Sequence, residues 1–286
     1  MITAIVPAFN EENAIVDTLQ EIKSVFESHH LQPYEIIVVD DGSTDRTGEL
    51  ARLCGVTVIA HPQNVGYGRS LKDGIQHAKF DTLVITDADR TYPFEQTLSL
   101  LAEYQKGFDM VVGARTGKHY KESFLKSPLR KILKFLVEFT AGRKIPDINS
   151  GLRIFSRKTV TQYLNHLCNT FSFTTSLTLA YMMTGKFVQY VPISYEKRQG
   201  KSKVKLLRDS LRTLQYILQA INYYHPMKIF LLFSMMCFLL SVISIVIALI
   251  FHILSGFSLG VGGLLVSVLI LCFGLVTDLL KQIMDK

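Results

Sequence analysis

The chain has 286 residues, enough for one large or two modest domains, and carries a formal net charge of +7. That charge admits nucleic acid, anionic lipid or phosphorylated substrates as partners. Its four cysteines, Cys54, Cys168, Cys237 and Cys272, show no metal-binding spacing and argue against a disulfide framework, which suits a reducing compartment. The first apolar stretch, residues 2–6, reads as a strand, because it lacks the basic start and long apolar run of a signal peptide. It ends in Pro7-Ala8-Phe9-Asn10-Glu11-Glu12, and a helix beginning near Asn10 or Glu11 continues through Ile15, Leu19, Ile22 and Phe26 at helical spacing. A second strand over 35–39 runs into Asp40-Asp41-Gly42-Ser43-Thr44-Asp45, followed by a helix to about Cys54 and a third strand over 56–60. Asn64-Val65-Gly66-Tyr67-Gly68 is a turn into a helix over about 69–78, and a fourth strand follows at Leu83-Val84-Ile85-Thr86. Apolar strands alternating with helices predict an α/β fold, with a mostly parallel sheet covered by helices on both faces.

The fourth strand ends in Asp87-Ala88-Asp89, where an α/β sheet presents its ligand site. Two carboxylates one residue apart repel each other, and an oxygen-preferring divalent cation, Mg²⁺ or Mn²⁺, relieves that repulsion while leaving positions for substrate phosphates. Taken alone, the pair reads rather as Asp87 capping the following turn and Asp89 solvated. A dinucleotide-binding unit is excluded by the first turn, which reads Pro-Ala-Phe-Asn where G-x-G-x-x-G is required. Ser43 or Asp45 suffices to cap the second helix, so Asp40 and Asp41 are acids beyond what capping needs, suited to a ribose or base.

Val6-Pro7-Ala8-Phe9-Asn10-Glu11, Val39-Asp40-Asp41-Gly42-Ser43-Thr44-Asp45, Asn64-x-Gly66-x-Gly68 and Asp87-Ala88-Asp89 together resemble family 2 glycosyltransferases of the GT-A fold. The resemblance implies that Pro7, Ala8, Phe9, Glu11, Asp40 and Asp41 bind a nucleotide-sugar donor. It also implies that Asp87, Ala88 and Asp89 face the donor diphosphate, with Asp87 and Asp89 as metal ligands. Val111-Val112-Gly113-Ala114-Arg115 reads as a strand beside the DxD strand. With Asp147-Ile148-Asn149-Ser150-Gly151-Leu152-Arg153 and Arg198-Gln199-Gly200-Lys201-Ser202-Lys203, it resembles the polyprenyl-phosphate sugar transferases over about residues 2–225. Thr91 stands where mannose synthases of that group carry Gln, which favours UDP-glucose over GDP-mannose. Processive synthases of the same superfamily need a Q-x-x-R-W motif, and this chain has no tryptophan.

Residues 229–253 are uncharged and apolar and would span about 37 Å as a helix. A second run over 259–277 is shorter and glycine-containing. Lysines at 228, 281 and 286 flank the pair, predicting a membrane hairpin with both ends, and the catalytic domain, on the cytoplasmic side. Two stretches, 124–140 and 204–221, oppose an apolar face to a polar one, basic in the first and carrying arginines and glutamines in the second. Near the spans they suit helices lying on anionic lipid, and the basic residues track these segments without a nucleic-acid motif. The expected organisation is a GT-A catalytic domain over 1–203, a juxtamembrane helix over 204–225 and two spans at about 228–254 and 259–279. Glycines in the second span could support helix contacts in a homo-oligomer.

The resemblance further implies a lipid acceptor, a polyprenyl phosphate. Arg115 and Arg130 would take the acceptor phosphate, Arg198 and Lys203 the donor diphosphate, and Asp147 and Arg153 the sugar and acceptor pocket, with Asp89 at the reacting centre. A phosphate arrives ionised and needs no protein base. A catalytically silent scaffold that binds nucleotide sugar or lipid, and a transferase acting on another lipid, are the alternatives.

Overall fold

The computed structural model describes residues 1–117, 134–139, 141–196 and 206–284. It divides into two compact units, Met1–Ile217 and Leu218–Lys286. The first is built on a seven-stranded sheet with the order β3-β2-β1-β4-β6-β5-β7. Four parallel strands come first in the chain: β1 (Ile2–Ala8), β2 (Tyr34–Asp40), β3 (Thr57–Ala60) and β4 (Thr82–Ile85). Helices α1 (Ile15–Ser28), α2 (Thr47–Leu53) and α3 (Tyr67–His77) connect them, as parallel neighbours require a crossover. A 3₁₀ turn and α4 (Thr97–Tyr104) lead to β5 (Met110–Thr116). Then β6 (Arg153–Ser156) runs antiparallel between β4 and β5, and β7 (Val188–Ser194) pairs parallel to β5 at the edge. Between β6 and β7 lie the short α5 (Arg157–Thr161) and α6 (Phe173–Met183).

Burial explains the patterns. Every residue of β1 is buried, as expected of a central strand covered on both faces. Helix α1 buries Ile15, Leu19, Ile22 and Phe26, the set its spacing predicts. Helix α3 lies so close to the sheet that a Cβ on Gly74 would stand 2.5 Å from Ile5 Cγ2 and 3.3 Å from Val39 Cγ2. The sequence placed β5 beside the DxD strand. The structure corrects this: β6 inserts between them, with Arg153 opposite both Ile85 and Val112. The predicted helix at 69–78 starts two residues earlier, at Tyr67.

Helix α7 (Leu206–Tyr224) runs across the division between the units and has Ile217 and Ile221 buried. In the second unit, α8 (Pro226–Phe251) and α9 (Leu254–Met284) form an antiparallel hairpin, each helix long and apolar enough to cross a membrane. Pro226 occupies the first turn of α8, where its missing N–H costs nothing. Residues 255–258 were read as a connector; they are helical, and the turn is made by His252, in the left-handed region at φ 54°, and Ile253. Small residues let the two helices meet. Ser234 Oγ donates to Ser267 O at 2.8 Å and Ser244 Oγ to Gly256 O at 2.9 Å. A Cβ on Gly260 would lie 2.4 Å from Ile245 Cγ1, and one on Gly263 2.2 Å from Ser241 Oγ. These glycines serve contacts within the hairpin. Large side chains such as Leu240, Ile250, Phe251, Leu265 and Phe273 face outward and are exposed.

Replacing Gly74 with Ala should lower stability by about 1–3 kcal/mol through overpacking against Ile5 and Val39, outweighing a helix-propensity gain of about 1 kcal/mol. Chemical denaturation of the full chain in detergent reads the difference.

Candidate active site

The carboxyl ends of β1, β2 and β4 meet at one edge of the sheet, with Ala8 paired in register with Asp40. Phe9 and Asn10 leave β1 in a turn whose Asn10 sits at φ 52°. That turn is zipped to the one after β2. Asn10 N donates to Ser43 Oγ (2.9 Å), Glu11 N to Thr47 Oγ1 (2.8 Å) and Thr44 N to Asn10 Oδ1 (2.8 Å). The Pro7-Ala8-Phe9-x-Glu11 segment and the Asp40-Asp41 segment therefore form one wall.

Each acid on this wall has a local partner. Asp40, 8% exposed, accepts from Ser43 N at 3.1 Å, and Gly48 at the start of α2 stands against it: a Cβ there would meet Asp40 Oδ2 at 2.2 Å. Asp41, 4% exposed, accepts from the amides of Val65 and Gly66, both at 2.9 Å, and lies 2.8 Å from His61 Nδ1. The other ring nitrogen of His61 lies 3.0 Å from Asp73 Oδ2, which also accepts from Arg69 Nε. So Asp41 fixes the turn that opens α3, besides any role toward a donor. Asp45, by contrast, takes the N–H and hydroxyl of Thr47 and serves the start of α2.

Asp87 and Asp89 follow β4. Asp89 is buried, and its Oδ1 accepts from Thr91 N (3.1 Å) and Thr91 Oγ1 (2.6 Å). Asp87 Oδ1 accepts from Tyr67 OH at 3.0 Å. Ala88 is buried and its carbonyl accepts from Thr18 Oγ1 at 3.1 Å, tying the motif to α1. Gly151 backs onto Asp87: a Cβ there would lie 2.8 Å from both carboxylate oxygens. The oxygen-only donor set of Asp87 and Asp89 fits a hard divalent cation sharing its remaining positions with phosphates. Among the described residues there is no cluster of three or more His, Cys, Asp or Glu that could hold a metal.

A largely buried ion pair joins the end of β5 to the loop before β6. Arg115, at the end of β5, donates through Nε to Asp147 Oδ2 at 2.6 Å and through its NH2 nitrogen to Asp147 Oδ1 at 2.8 Å. Its backbone N–H reaches Asp147 Oδ2 as well, at 3.2 Å. Burial alone would raise the Asp147 carboxyl; the hydrogen bonds and charge of Arg115 overcome it and hold the group below the usual carboxylate range. The Arg115 guanidinium also lies 5.4 Å from the centre of the Tyr195 ring, and Tyr195 packs edge-on against Tyr92. Arg153 behaves differently. It is fully buried and donates to Ser150 O (2.8 Å), Ile148 O (2.8 Å) and Thr178 Oγ1 (2.7 Å). Arg153 thus shapes the site by fastening the loop that bears Asp147 and Gly151. Arg130, Arg198 and Lys203 lie outside the described residues.

The model of glycosyl transferase family 2 matches residues 3–164. The chain belongs to this family. It is 30% identical over 224 residues to the low-salt glycan biosynthesis hexosyltransferase Agl6 of Haloferax volcanii, covering 76% of this chain and 53% of that one. It is 28% identical over 281 residues to the undecaprenyl-phosphate 4-deoxy-4-formamido-L-arabinose transferase of Klebsiella pneumoniae, covering 96% of this chain and 77% of that one. An Edwardsiella ictaluri protein of the same name is 26% identical, covering 72% and 64%. The chain thus spans about half the length of the first relative and just under two thirds of the last. The solved structure of glucosyl-3-phosphoglycerate synthase from Mycobacterium tuberculosis with Mn²⁺, UDP-glucose and glycerol 3-phosphate superposes with a TM-score of 0.63. It is 20% identical, covering 77% of this chain and 79% of that one, and it establishes the GT-A-like fold of this family 2 member.

Tyr67, Tyr92, Tyr195, His61 and the steric role of Gly151 escaped the sequence reading. Only Tyr67 carried a signal, as the residue between the glycines of Asn64-x-Gly66-x-Gly68.

The folded Asp147 carboxyl is depressed, so the pair's contribution is complete above about pH 4 and is lost as pH falls through the folded value. Replacing Asp147 with Asn should cost about 3–5 kcal/mol near neutrality, because it strands a buried guanidinium. Melting curves from pH 7 to pH 3 should show the gap to the wild type closing in acid.

Proposed function

We propose that this protein transfers one sugar from a nucleoside diphosphate sugar to a polyprenyl phosphate at the cytoplasmic face of a membrane, using a divalent cation. The observation that carries the reading is the Asp87-Ala88-Asp89 carboxylate pair. It opens beside the Asp40–Asp41 wall in a family 2 chain that continues into two apolar helices. Relatives named as undecaprenyl-phosphate transferases support the acceptor class, and UDP-glucose is the donor favoured by Thr91.

Pro7, Ala8, Phe9, Glu11, Asp40 and Asp41 form the donor wall, and Asp87 and Asp89 hold the cation, Mg²⁺ or Mn²⁺. When bound, the cation neutralises the donor diphosphate and the nucleoside diphosphate that departs. Arg115 faces the acceptor phosphate. Asp147 holds its guanidinium fork in one orientation and balances its charge until the acceptor arrives. Arg130 assists there, and Arg198 and Lys203 bind the diphosphate. An ionised acceptor oxygen attacks the anomeric carbon, the bond from that carbon to the donor phosphate breaks, and the configuration inverts. The chain need take no proton. Its task is to bring two anions together, a repulsion of about 4 kcal/mol at 4 Å and an effective dielectric of 20, and the charge of Arg115 offsets it. The catalytic unit spans 1–203, with 124–140 and 204–225 on the lipid surface and α8 and α9 across it.

Purified full-length protein in detergent should convert one donor from a UDP- and GDP-sugar panel into labelled polyprenyl-phosphate sugar, and EDTA should abolish the product. Asp89→Ala should lower kcat/KM by at least about 10²-fold, the scale of removing one preorganised electrostatic contact. A transferase reading does not survive full turnover in that variant. Cysteines placed at His252 or Ile253 should react with impermeant reagents from the outer side only, while cysteines in the first unit stay protected.

A further inference from the structure

Tyr67 has no part in the donor wall or the acceptor contacts, yet its hydroxyl touches the first metal-motif carboxylate. It donates to Asp87 Oδ1 at 3.0 Å. On the other side of Asp87, Gly151 leaves less than a methyl group of room, and Gly151 N is itself fixed by donating to Tyr92 OH at 2.8 Å. The carboxylate is held between a donor and a wall.

Tyr67 is in turn over-determined. Its ring stacks on Phe171, with centroids 5.9 Å apart and planes 15° from parallel. Phe171 belongs to the segment Leu167–Phe171, which is clamped onto the start of α3. Arg69 N donates to Asn169 O (2.9 Å), and Lys72 Nζ donates to Leu167 O and Asn169 Oδ1, both at 2.6 Å. Two glycines flank Tyr67 and make this approach possible. A Cβ on Gly66 would meet Asn169 O at 2.8 Å, and one on Gly68 would meet Cys168 O at 2.3 Å. From the other side, Asp41 holds the amides of Val65 and Gly66. The turn preceding the ring is thereby pinned by an acid of the donor wall.

Resting on the assignment of Asp87 as a cation ligand, we propose that Tyr67 is a positioning residue that sets the affinity of the Asp87–Asp89 site for a divalent cation, with Phe171 holding its ring in place. A hydrogen bond that orients a ligating carboxylate removes the cost of ordering it when the metal binds. Losing such an outer contact weakens metal binding by about 10–100-fold.

The test is Mn²⁺ binding to the full-length protein in detergent, read as free Mn²⁺ by electron paramagnetic resonance without donor or acceptor. Tyr67→Phe keeps the ring and its stack and removes only the donor. It should raise the Mn²⁺ dissociation constant about tenfold or more with the melting temperature nearly unchanged. Phe171→Ala should shift binding in the same direction by less. In turnover assays, Tyr67→Phe should raise the Mn²⁺ concentration for half-activation and recover wild-type kcat at saturating Mn²⁺, which general destabilisation would not do. Wild-type Mn²⁺ affinity in Tyr67→Phe overturns the proposal. Asp87→Asn separates this from the underlying reading. If it loses Mn²⁺ while Tyr67→Phe does not, only the role of Tyr67 falls; if it binds Mn²⁺ like the wild type, the cation site itself is misassigned.

Discussion

The site depends on gathering carboxylates at one end of the sheet and keeping them there. Asp40, Asp41, Asp89 and Asp147 are each less than a tenth exposed, and Asp87 joins them half-buried. An ionised carboxylate out of water is costly unless hydrogen bonds or opposite charge replace its hydration. Each acid has that replacement. Asp40 has Ser43 N, Asp41 has two amides and His61, Asp87 has Tyr67, Asp89 has Thr91, and Asp147 has Arg115. Most of these partners are backbone amides or hydroxyls, which orient an acid without cancelling its charge. Asp147 is matched by a bidentate arginine, and the imidazole of His61 lies against Asp41.

Close approach of backbone is the second requirement, and glycine supplies it. Gly48 admits Asp40 to the start of α2, and Gly151 admits Asp87 to the loop before β6. Gly66 and Gly68 admit the 168–170 backbone to α3. In each case a methyl group would occupy the place of a carboxylate or carbonyl oxygen, so the spacing of glycines in the motifs records where two segments touch. A motif glycine conventionally read as a turn residue is here as much a packing residue.

This bears on what the sequence could reveal. The strands of the first half were legible because each is a short apolar run bounded by turn residues, and α1 because its apolar positions repeat at helical spacing. The second half of the sheet was not. β6 is four residues long and contains a fully buried arginine, a composition no strand pattern suggests. α6 is buried on every side, so its Thr- and Ser-rich sequence shows no amphipathic period. Missing β6 also misplaced β5 beside β4. In the site, the acids of the motifs were legible because paired carboxylates at strand ends demand an explanation. Their holders were not, since Tyr67, Tyr92, His61 and Tyr195 come from four separate turns and edges, and nothing in their spacing announces that they converge.

Arg115 and Arg153 show why residue type alone does not assign a role. They end or begin neighbouring antiparallel strands, a few residues apart in register. Arg115 meets a carboxylate and an aromatic face and retains some exposure, 15% of its side chain. Arg153 donates to uncharged oxygens and to Met110 Sδ, and it has no exposure. Burial works against the protonated form of Arg153, yet a guanidinium is too basic to yield its proton in a protein. The second arginine is therefore a fixed positive charge beneath the loop carrying Asp147. Its hydrogen bonds to the carbonyls of Ser150 and Ile148 convert that charge into loop rigidity. Arg115 is positioned by a charged side chain on another loop, whereas Arg153 is fastened largely by backbone carbonyls of the fold. On the proposed function, the first is the arginine that answers to substrate, and the second keeps the surface on which it answers.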